Sequence, residues 1–295
     1  MQERQQEEPA QTVIRGEEVV ERTETPQPAE VKLAPAPSGR FHVPARHNPK
    51  LQQLVDEINL DQELQQLWRS ANINAIDRSG INDHGPVHIQ ILANIGLRLL
   101  RLLADAGVQP SVVVNYGLTT EDAEVIVTLA LAMHDIGIAI HREEHENLSV
   151  ILATPLARRL LEPIYPEPTR TVMVCETLHA IVAHHWDVQT LTIEAGVVKV
   201  ADALDIAKGR SRIPFELGRV NIHSVSAAAI DSVTITKGEQ RPVKITVDMN
   251  NPAGVYQLDD LLKRKLENSS IAPYVELTAS ITGPAHAETI PFYNL

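Results

Sequence analysis

The chain has 295 residues and a formal net charge of −12, and 43% of its residues are hydrophobic although only 3% are aromatic. This composition predicts an aliphatic core in one large domain, or in a medium domain with a smaller one beside it. The charge argues against general nucleic-acid binding, which usually needs a basic surface, and the single cysteine excludes a disulfide-stapled secreted domain. A small anionic partner stays compatible with this charge, because a metal ion and a few local cations can reverse the sign at one site.

Residues 1–46 are rich in Glu, Gln and Pro and poor in large apolar side chains. Such a segment cannot bury enough surface to offset its ordering entropy, so we predict a disordered acidic tail. Its polar start is not a secretory signal, and no apolar run reaches the length of a membrane span. We therefore expect a cytoplasmic protein without a membrane partner.

Residues 47–218 show apolar side chains at the three- and four-residue spacing of amphipathic helices. The spacing predicts helices that begin near residues 48, 64 and 86, followed by helices at 121–133, 144–161, 169–185 and 192–208. Cys175 follows three apolar residues within the sixth of these helices, and we predict that it is buried.

Residues 219–295 change in character. Residues 231–237 and 242–249 alternate apolar and polar side chains around Gly238, which predicts a β-hairpin. A helix at 258–266 and a strand at 274–282 complete a small C-terminal α+β lobe. The chain is thus predicted to be mainly α. An exposed edge strand, such as 274–282, could also pair with a second copy of the chain and build a homodimer.

Histidines carry the functional signal, because eight of the twelve fall between residues 84 and 185. One of them begins the doublet His134-Asp135, which closes an otherwise apolar helix. Burying such a pair is costly unless it is paired or bound to a metal. Neutral imidazole and carboxylate both bind first-row divalent metals, so these residues predict a metal centre.

The order of these residues over about 80–215 resembles the HD-domain superfamily of metal-dependent phosphohydrolases. That family carries an upstream His, the His-Asp doublet, further His residues on later helices and a final Asp. The matching residues are His88, His134, Asp135, His145, one or both of His184 and His185, and Asp202. Adjacent residues point roughly 100° apart on a helix, so one member of the His184-His185 doublet could instead contact the substrate, although multi-metal members use such a doublet as two ligands.

The resemblance implies an HD-type helical bundle that binds two divalent ions, chosen among Mn, Fe, Co, Mg and Zn, with Asp135 bridging them. Beyond the helix of Asp202, Lys208, Arg210 and Arg212 form a basic segment that suits a phosphate. We predict that Lys208 and Arg212 act in catalysis with Asp135, and that His84, Lys199 and Arg210 contact the substrate. His84 could equally bind a metal. A solvated helix end is the simpler interpretation of the basic segment. Asp205 could orient a ligand imidazole or pair with one of these arginines.

The function implied by the resemblance is hydrolysis of a phosphomonoester or phosphodiester, either nucleotide-like or a cyclic phosphate, so the expected partner is a small phosphorylated substrate. Two alternatives stay open. A diiron oxygenase could use the same scaffold with the extra histidines as ligands. A non-catalytic, metal-stabilised sensor could use the C-terminal lobe to bind a ligand or a protein.

Overall fold

Eight α-helices precede residue 206 in the computed structural model, which describes residues 40–206, 222–283 and 286–288. They are α1 (Pro49–Leu60), α2 (Gln62–Asn72), α3 (Pro86–Asp105), α4 (Ser111–Tyr116), α5 (Thr120–Met133), α6 (His145–Leu161), α7 (Thr169–Ala183) and α8 (Ile193–Ala203). A π-helical turn (Ile73–Arg78) continues α2, and a 3-10 turn (Ile136–Ala139) follows α5. The predicted mainly helical fold is confirmed.

Several helix starts are set by local side-chain caps. Asn48 accepts a hydrogen bond from the third residue of α1, and Asp61 and Thr192 cap α2 and α8 in the same way. At the start of α5, Thr119 and Asp122 form a reciprocal capping box. Helix α5 is buried over most of its length and packs against α1, α3, α7 and α8. It is therefore the central helix of the bundle.

The C-terminal lobe contains a four-stranded sheet and short helical segments. They are α9 (Ile222–Ala228), β1 (Ile230–Lys237), β2 (Val243–Met249), α10 (Val255–Gln257), a π-helical segment (Leu258–Lys263), α11 (Arg264–Glu267), β3 (Val275–Gly283) and β4 (His286–Glu288). Strands β1 and β2 are antiparallel, β2 and β3 are parallel, and β3 and β4 are antiparallel. The predicted hairpin and the predicted C-terminal α+β lobe are confirmed.

Strand β3 pairs on one side with β2 along Val275–Ile281 and on the other side with β4 along Ile281–Gly283. Its parallel pairing with β2 requires a crossover connection, and the helical segments from 255 to 267 supply it. Pairing of β3 with a second copy of the chain, and the homodimer it would build, stay predictions.

The sequence predicts domain boundaries after residue 46 and after residue 218. The predicted disordered tail includes residues 40–46, but Phe41 and Val43 are buried, and the Phe41 ring lies 5.9 Å from that of Trp68. Phe41 and Val43 belong to the hydrophobic core, so the packed part of the chain begins before residue 47. The boundary between 218 and 219 falls within residues 207–221, outside the described residues. The buried face of the sheet, with Ile245 and Val247, belongs to the same hydrophobic core as the helices.

Cys175 is exposed, so the prediction that it is buried was wrong. The buried face of α7 runs through Met173, Val174, Thr177 and Ile181, and Cys175 lies roughly 100° around the helix from Val174. An apolar run of four residues does not distinguish the two faces of such a helix.

Helix α3 is, among the described helices, the one long and apolar enough to cross a membrane by length and composition. More than half of its apolar window is buried inside the bundle. A core helix that does not cross a membrane meets the same criterion, so the length and composition of α3 are weak evidence for a membrane span.

Candidate metal centre

Six imidazole and carboxylate side chains converge from five helices. His88 lies in the first turn of α3, His145 begins α6, and Asp202 lies in the last turn of α8; His134 and Asp135 directly follow α5, and His184 directly follows α7. Five of the six residues are buried, and Asp202 is partly exposed. The donors therefore come from helix ends that meet at one place in the bundle.

A close backbone contact holds His145 next to the His134-Asp135 doublet. A side chain on Gly137 would place its Cβ 2.2 Å from the carbonyl oxygen of His145. The Gly137 N–H also donates a 2.8 Å hydrogen bond to Ser149 Oγ on α6. Only glycine allows this approach, and it brings the start of α6 against the turn that follows Asp135.

The two carboxylate oxygens of Asp135 face different pairs of histidines. Oδ2 lies 3.1 Å from Nε2 of His134 and 3.7 Å from Nε2 of His88. Oδ1 lies 3.1 Å from Nε2 of His145 and 3.7 Å from Nε2 of His184. Each oxygen of this one carboxylate therefore lies beside its own pair of imidazoles.

Asp202 approaches the first of these two pairs. Its Oδ1 lies 3.7 Å from Nε2 of both His88 and His134, and its Oδ2 forms an ion pair with the ammonium group of Lys265. These residues form three sets of three potential ligands. Within each set, the ligand atoms lie within 4.8 Å of one another. The sets are His88, His134 and Asp135; His134, His184 and Asp202; and Asp135, His145 and His184.

The Nδ1 atoms of three imidazoles are engaged outside the cluster. They lie 2.6 Å from Asp205 Oδ2 for His88, 2.9 Å from the Leu131 carbonyl oxygen for His134, and 2.5 Å from the Ile181 carbonyl oxygen for His184. A protonated Nδ1 leaves the Nε2 lone pair directed at the centre, as in metal-binding histidines. Of the two roles predicted for Asp205, the structure shows the orientation of a ligand imidazole.

Two of these Nε2 atoms lack a hydrogen bond. Nε2 of His88 and of His134 are buried and have no hydrogen-bond partner of acceptable geometry among the described residues, although both lie near carboxylate oxygens. A buried polar atom without a partner is rare and calls for a ligand. Nitrogen and oxygen donors without cysteine fit a first-row divalent metal. The residues present therefore fit the metal centre that the sequence predicts.

The charges in the cluster also favour a bound metal ion. Burial raises the pKa of Asp135 and Asp202, but neighbouring His134 and Lys265 outweigh this and hold both pKa values well below their usual range. Burial lowers the pKa of His134, but the Asp135 and Asp202 carboxylates outweigh it and raise this pKa to about 10. Burial and the charge of His134 lower the pKa of His184 to about 3. The two carboxylates thus draw positive charge into the cluster, which a divalent ion would supply.

A cavity of about 440 Å³ opens above the cluster. Asp135, His145 and Asp202 contribute to its lining, and so does His84, whose Nε2 lies 4.0 Å from Asp135 Oδ2. The predicted position of His84 beside a substrate agrees with this placement. A small molecule could therefore reach the carboxylate oxygens from solvent.

Two predicted site residues lie elsewhere. His185 is half-buried beside Trp186, and its Nδ1 accepts a 3.3 Å hydrogen bond from the Asp187 N–H. Helix α7 ends at Ala183, so the chain turns His184 inward and His185 away from the ligand groups of the described residues. Lys199 is fully buried in α8, and its ammonium group donates to the Val188 carbonyl oxygen. It does not line the cavity, which corrects its predicted substrate contact.

Three predicted cations and two further histidines remain. Lys208, Arg210 and Arg212 lie outside the described residues, so their roles stay predictions. His141 is exposed, and His179 accepts a 3.1 Å hydrogen bond from the Leu191 N–H. His141 therefore lies at the surface, and His179 binds the segment that precedes α8.

Three cations that line the cavity are not among the residues predicted from the sequence. Arg142 lies 2.7 Å from Nδ1 of His145, and Arg264 and Lys265 come from α11 of the C-terminal lobe. Trp186 is 45% exposed at the same cavity, with the Arg264 guanidinium 4.9 Å from its ring centre. The basic triplet 263–265 was visible in the sequence, but no spacing rule linked it to a helix sixty residues earlier.

Comparisons with known proteins identify relatives of this chain. A profile of the HD domain matches residues 90–207. An uncharacterized protein of Methanocaldococcus jannaschii is 39% identical over 233 residues, which is 79% of this chain and 89% of that protein. Ribonuclease Y of Desulforamulus reducens is 30% identical over 59% of this chain, and ribonuclease Y of Desulforudis audaxviator is 28% identical over 78%.

The chain spans only 31% and 43% of the length of these two ribonucleases. No solved structure matches the chain. The matched profile covers His134, Asp135, His145, His184 and Asp202, five of the six residues that the structure brings together, and His88 lies two residues before it. The chain therefore belongs to the HD-domain family, a superfamily of metal-dependent phosphohydrolases.

Proposed function

We propose that this protein is a divalent-metal-dependent phosphohydrolase that cleaves a nucleotide-like phosphomonoester or phosphodiester. The observation that carries the proposal is the division of the Asp135 oxygens between two histidine pairs, at 3.1 Å on each side. The open cavity above these oxygens gives a substrate access to the centre. A purely structural protein would have no need of donor atoms that face an open cavity.

The six residues of the centre would hold two ions. His88, His134 and Asp202 would hold one, His145 and His184 the other, and Asp135 both. When bound, two divalent ions supply Lewis acidity and lower the pKa of a shared water, which favours attack on a phosphoryl group. Burial keeps bulk water away from most of these donors, which strengthens their electrostatic interactions.

The cavity wall favours a substrate with a planar group. Trp186 and the Arg264 guanidinium lie against each other beside the centre. Aromatic rings and guanidinium planes stack on unpaired bases. A phosphate ester at the centre could thus place its base along this wall.

The proposal is tested by hydrolysis assays on protein loaded separately with Mn, Fe, Co, Mg and Zn. Chromogenic phosphomonoesters and phosphodiesters, mononucleotides and 2′,3′-cyclic nucleotides form the panel, and Asp135→Ala is the control. We expect phosphate or nucleotide release with at least one metal and none from the variant. Equal inactivity of both proteins on the whole panel would remove the proposal.

RNA is a second candidate for the substrate. The relatives named ribonuclease Y favour it, whereas the net charge of −12 disfavours a long nucleic acid. Short single-stranded oligoribonucleotides added to the panel separate the two cases. Cleavage of the oligonucleotides with no release from mononucleotides would select RNA.

The oxygenase and sensor alternatives need different measurements. Anaerobic purification with iron analysis and an oxygen electrode would detect oxygen consumption by a diiron protein. Thermal-shift titration with nucleotides would detect binding without turnover, the result expected of a sensor.

A further inference from the structure

The C-terminal lobe places a lysine directly on the metal centre. Helix α11 packs against α8, which carries Asp202. The Lys265 ammonium group pairs with Asp202 Oδ2, and the two side chains are 14% and 15% exposed. The lobe is therefore part of the wall around the candidate site.

Lys265 has hydrogen-bonding capacity beyond this pair. An ammonium group carries three N–H donors and no acceptor. Its one hydrogen bond within the described residues goes to Asp202, and the side chain lines the cavity. Two donors can therefore point at a molecule in the cavity while the third stays on Asp202.

The other cations of the cavity are placed differently. The Arg142 guanidinium contacts the outer nitrogen of His145, and Arg264 covers Trp186. Lys265 instead contacts a carboxylate whose second oxygen lies 3.7 Å from two of the ligand imidazoles. A phosphoryl group bound at these donors would lie beside the ammonium group.

We propose that Lys265 is a catalytic residue that binds the phosphoryl oxygens of the substrate, so that the C-terminal lobe completes the active site. The inference rests on the proposed phosphohydrolase function. A positive charge next to the phosphoryl oxygens stabilises the negative charge they carry in the transition state. Asp202 holds the lysine in place, which reduces the entropy lost when the phosphoryl group binds.

The test uses Lys265→Met, with Lys265→Arg as the conservative variant and Lys263→Met as a control that removes the same charge from the same lobe. Each protein is loaded with Mn²⁺, its metal content is measured, and inorganic phosphate is titrated by calorimetry. We expect wild-type metal content in all four proteins. Phosphate affinity should fall at least tenfold in Lys265→Met, recover in part in Lys265→Arg and stay unchanged in Lys263→Met.

Two results would overturn the inference. The first is unchanged phosphate affinity in Lys265→Met. The second is loss of metal together with phosphate binding in that variant, because Lys265 would then only position Asp202. The titration also separates this inference from the proposed function: phosphate binding that depends on Lys265 would stand even if no ester of the panel were hydrolysed.

Discussion

The two ends of α5 contain buried carboxylates in very different settings. At the N-terminal end lie Asp122 and Glu124, and at the C-terminal end lie His134 and Asp135. In the sequence both ends interrupt an apolar helix with charged residues. Only the structure distinguishes them, by the partners that each carboxylate finds.

The N-terminal end is fully paired. Glu124 accepts hydrogen bonds from Arg101 at 2.7 Å, from Asn48 at 3.0 Å and from His47 at 3.0 Å. Burial raises the pKa of Glu124, but these three partners outweigh it and lower the pKa below its usual value. The network ties the segment before α1 and helix α3 to α5.

At the C-terminal end, Nε2 of His134 and of the neighbouring His88 are buried and have no hydrogen-bond partner of acceptable geometry among the described residues. Burial of such atoms has a cost in free energy, because each loses its water without a replacement. An incomplete buried polar network thus marks a ligand site, whereas a complete one joins structural elements.

Asp135→Asn should have the largest effect. It removes the charge that faces both histidine pairs, so neither ion keeps its shared ligand. We expect metal content to fall below one ion per chain and hydrolysis to drop at least about 1000-fold, equivalent to about 4 kcal/mol in activation free energy. Elemental analysis after desalting and the hydrolysis panel measure the two outcomes. Retention of two ions would contradict the bridging geometry.

Glu124→Gln tests the other end of the helix. The substitution leaves Arg101 beside a neutral amide in a buried network, so the free energy of unfolding should fall by about 3 kcal/mol. Urea denaturation of wild type and variant measures this difference. Metal content and hydrolysis should stay at wild-type levels in the folded variant. A loss of metal would show that the paired end also serves the centre.

His184→Ala and His185→Ala form a matched pair within one doublet. His184 faces Asp135 at 3.7 Å, whereas His185 lies beside Trp186. Removal of one imidazole ligand should weaken the binding of one ion by roughly 10- to 100-fold, an effect of about 1.4–2.7 kcal/mol. Chelator competition measures the affinities. Equal losses in the two variants would restore His185 as a ligand.

Sequence reasoning could predict the chemistry of the site because its ligands occur in a fixed order on helices with clear apolar spacing. His88, His134, His145 and Asp202 needed no knowledge of tertiary structure. The sequence does not decide between His184 and His185, since the outcome depends on where α7 ends. No glycine or proline directly follows Ala183 to mark that end.

The contribution of the lobe could not be predicted in the same way. Lys265 reaches Asp202 across 63 positions of the chain, and neither residue shows this in its own neighbourhood. The parallel pairing of β2 with β3 likewise depends on a crossover, which alternation of apolar residues does not reveal. Local patterns predicted the elements, and long-range packing decided which of them meet at the site.

Lys199 provides the smallest test of the same distinction, because it is a fully buried cation that hydrogen-bonds only to a carbonyl group among the described residues. Burial, with the charge of Lys265, lowers the pKa of Lys199 from 10.5 to about 8. The unfolded chain therefore binds more protons than the folded chain between these values, so the stability of the wild type rises with pH in this window.

Lys199→Met removes the titrating group and with it this rise. Between pH 7 and pH 9 the unfolding free energy of the wild type, relative to the variant, should increase by about 1 kcal/mol. Urea denaturation of both proteins at a series of pH values measures the difference, in which the other titrating groups largely cancel. A flat difference would mean that the Val188 carbonyl keeps the ammonium group charged at no cost, so that one neutral acceptor suffices to complete a buried network.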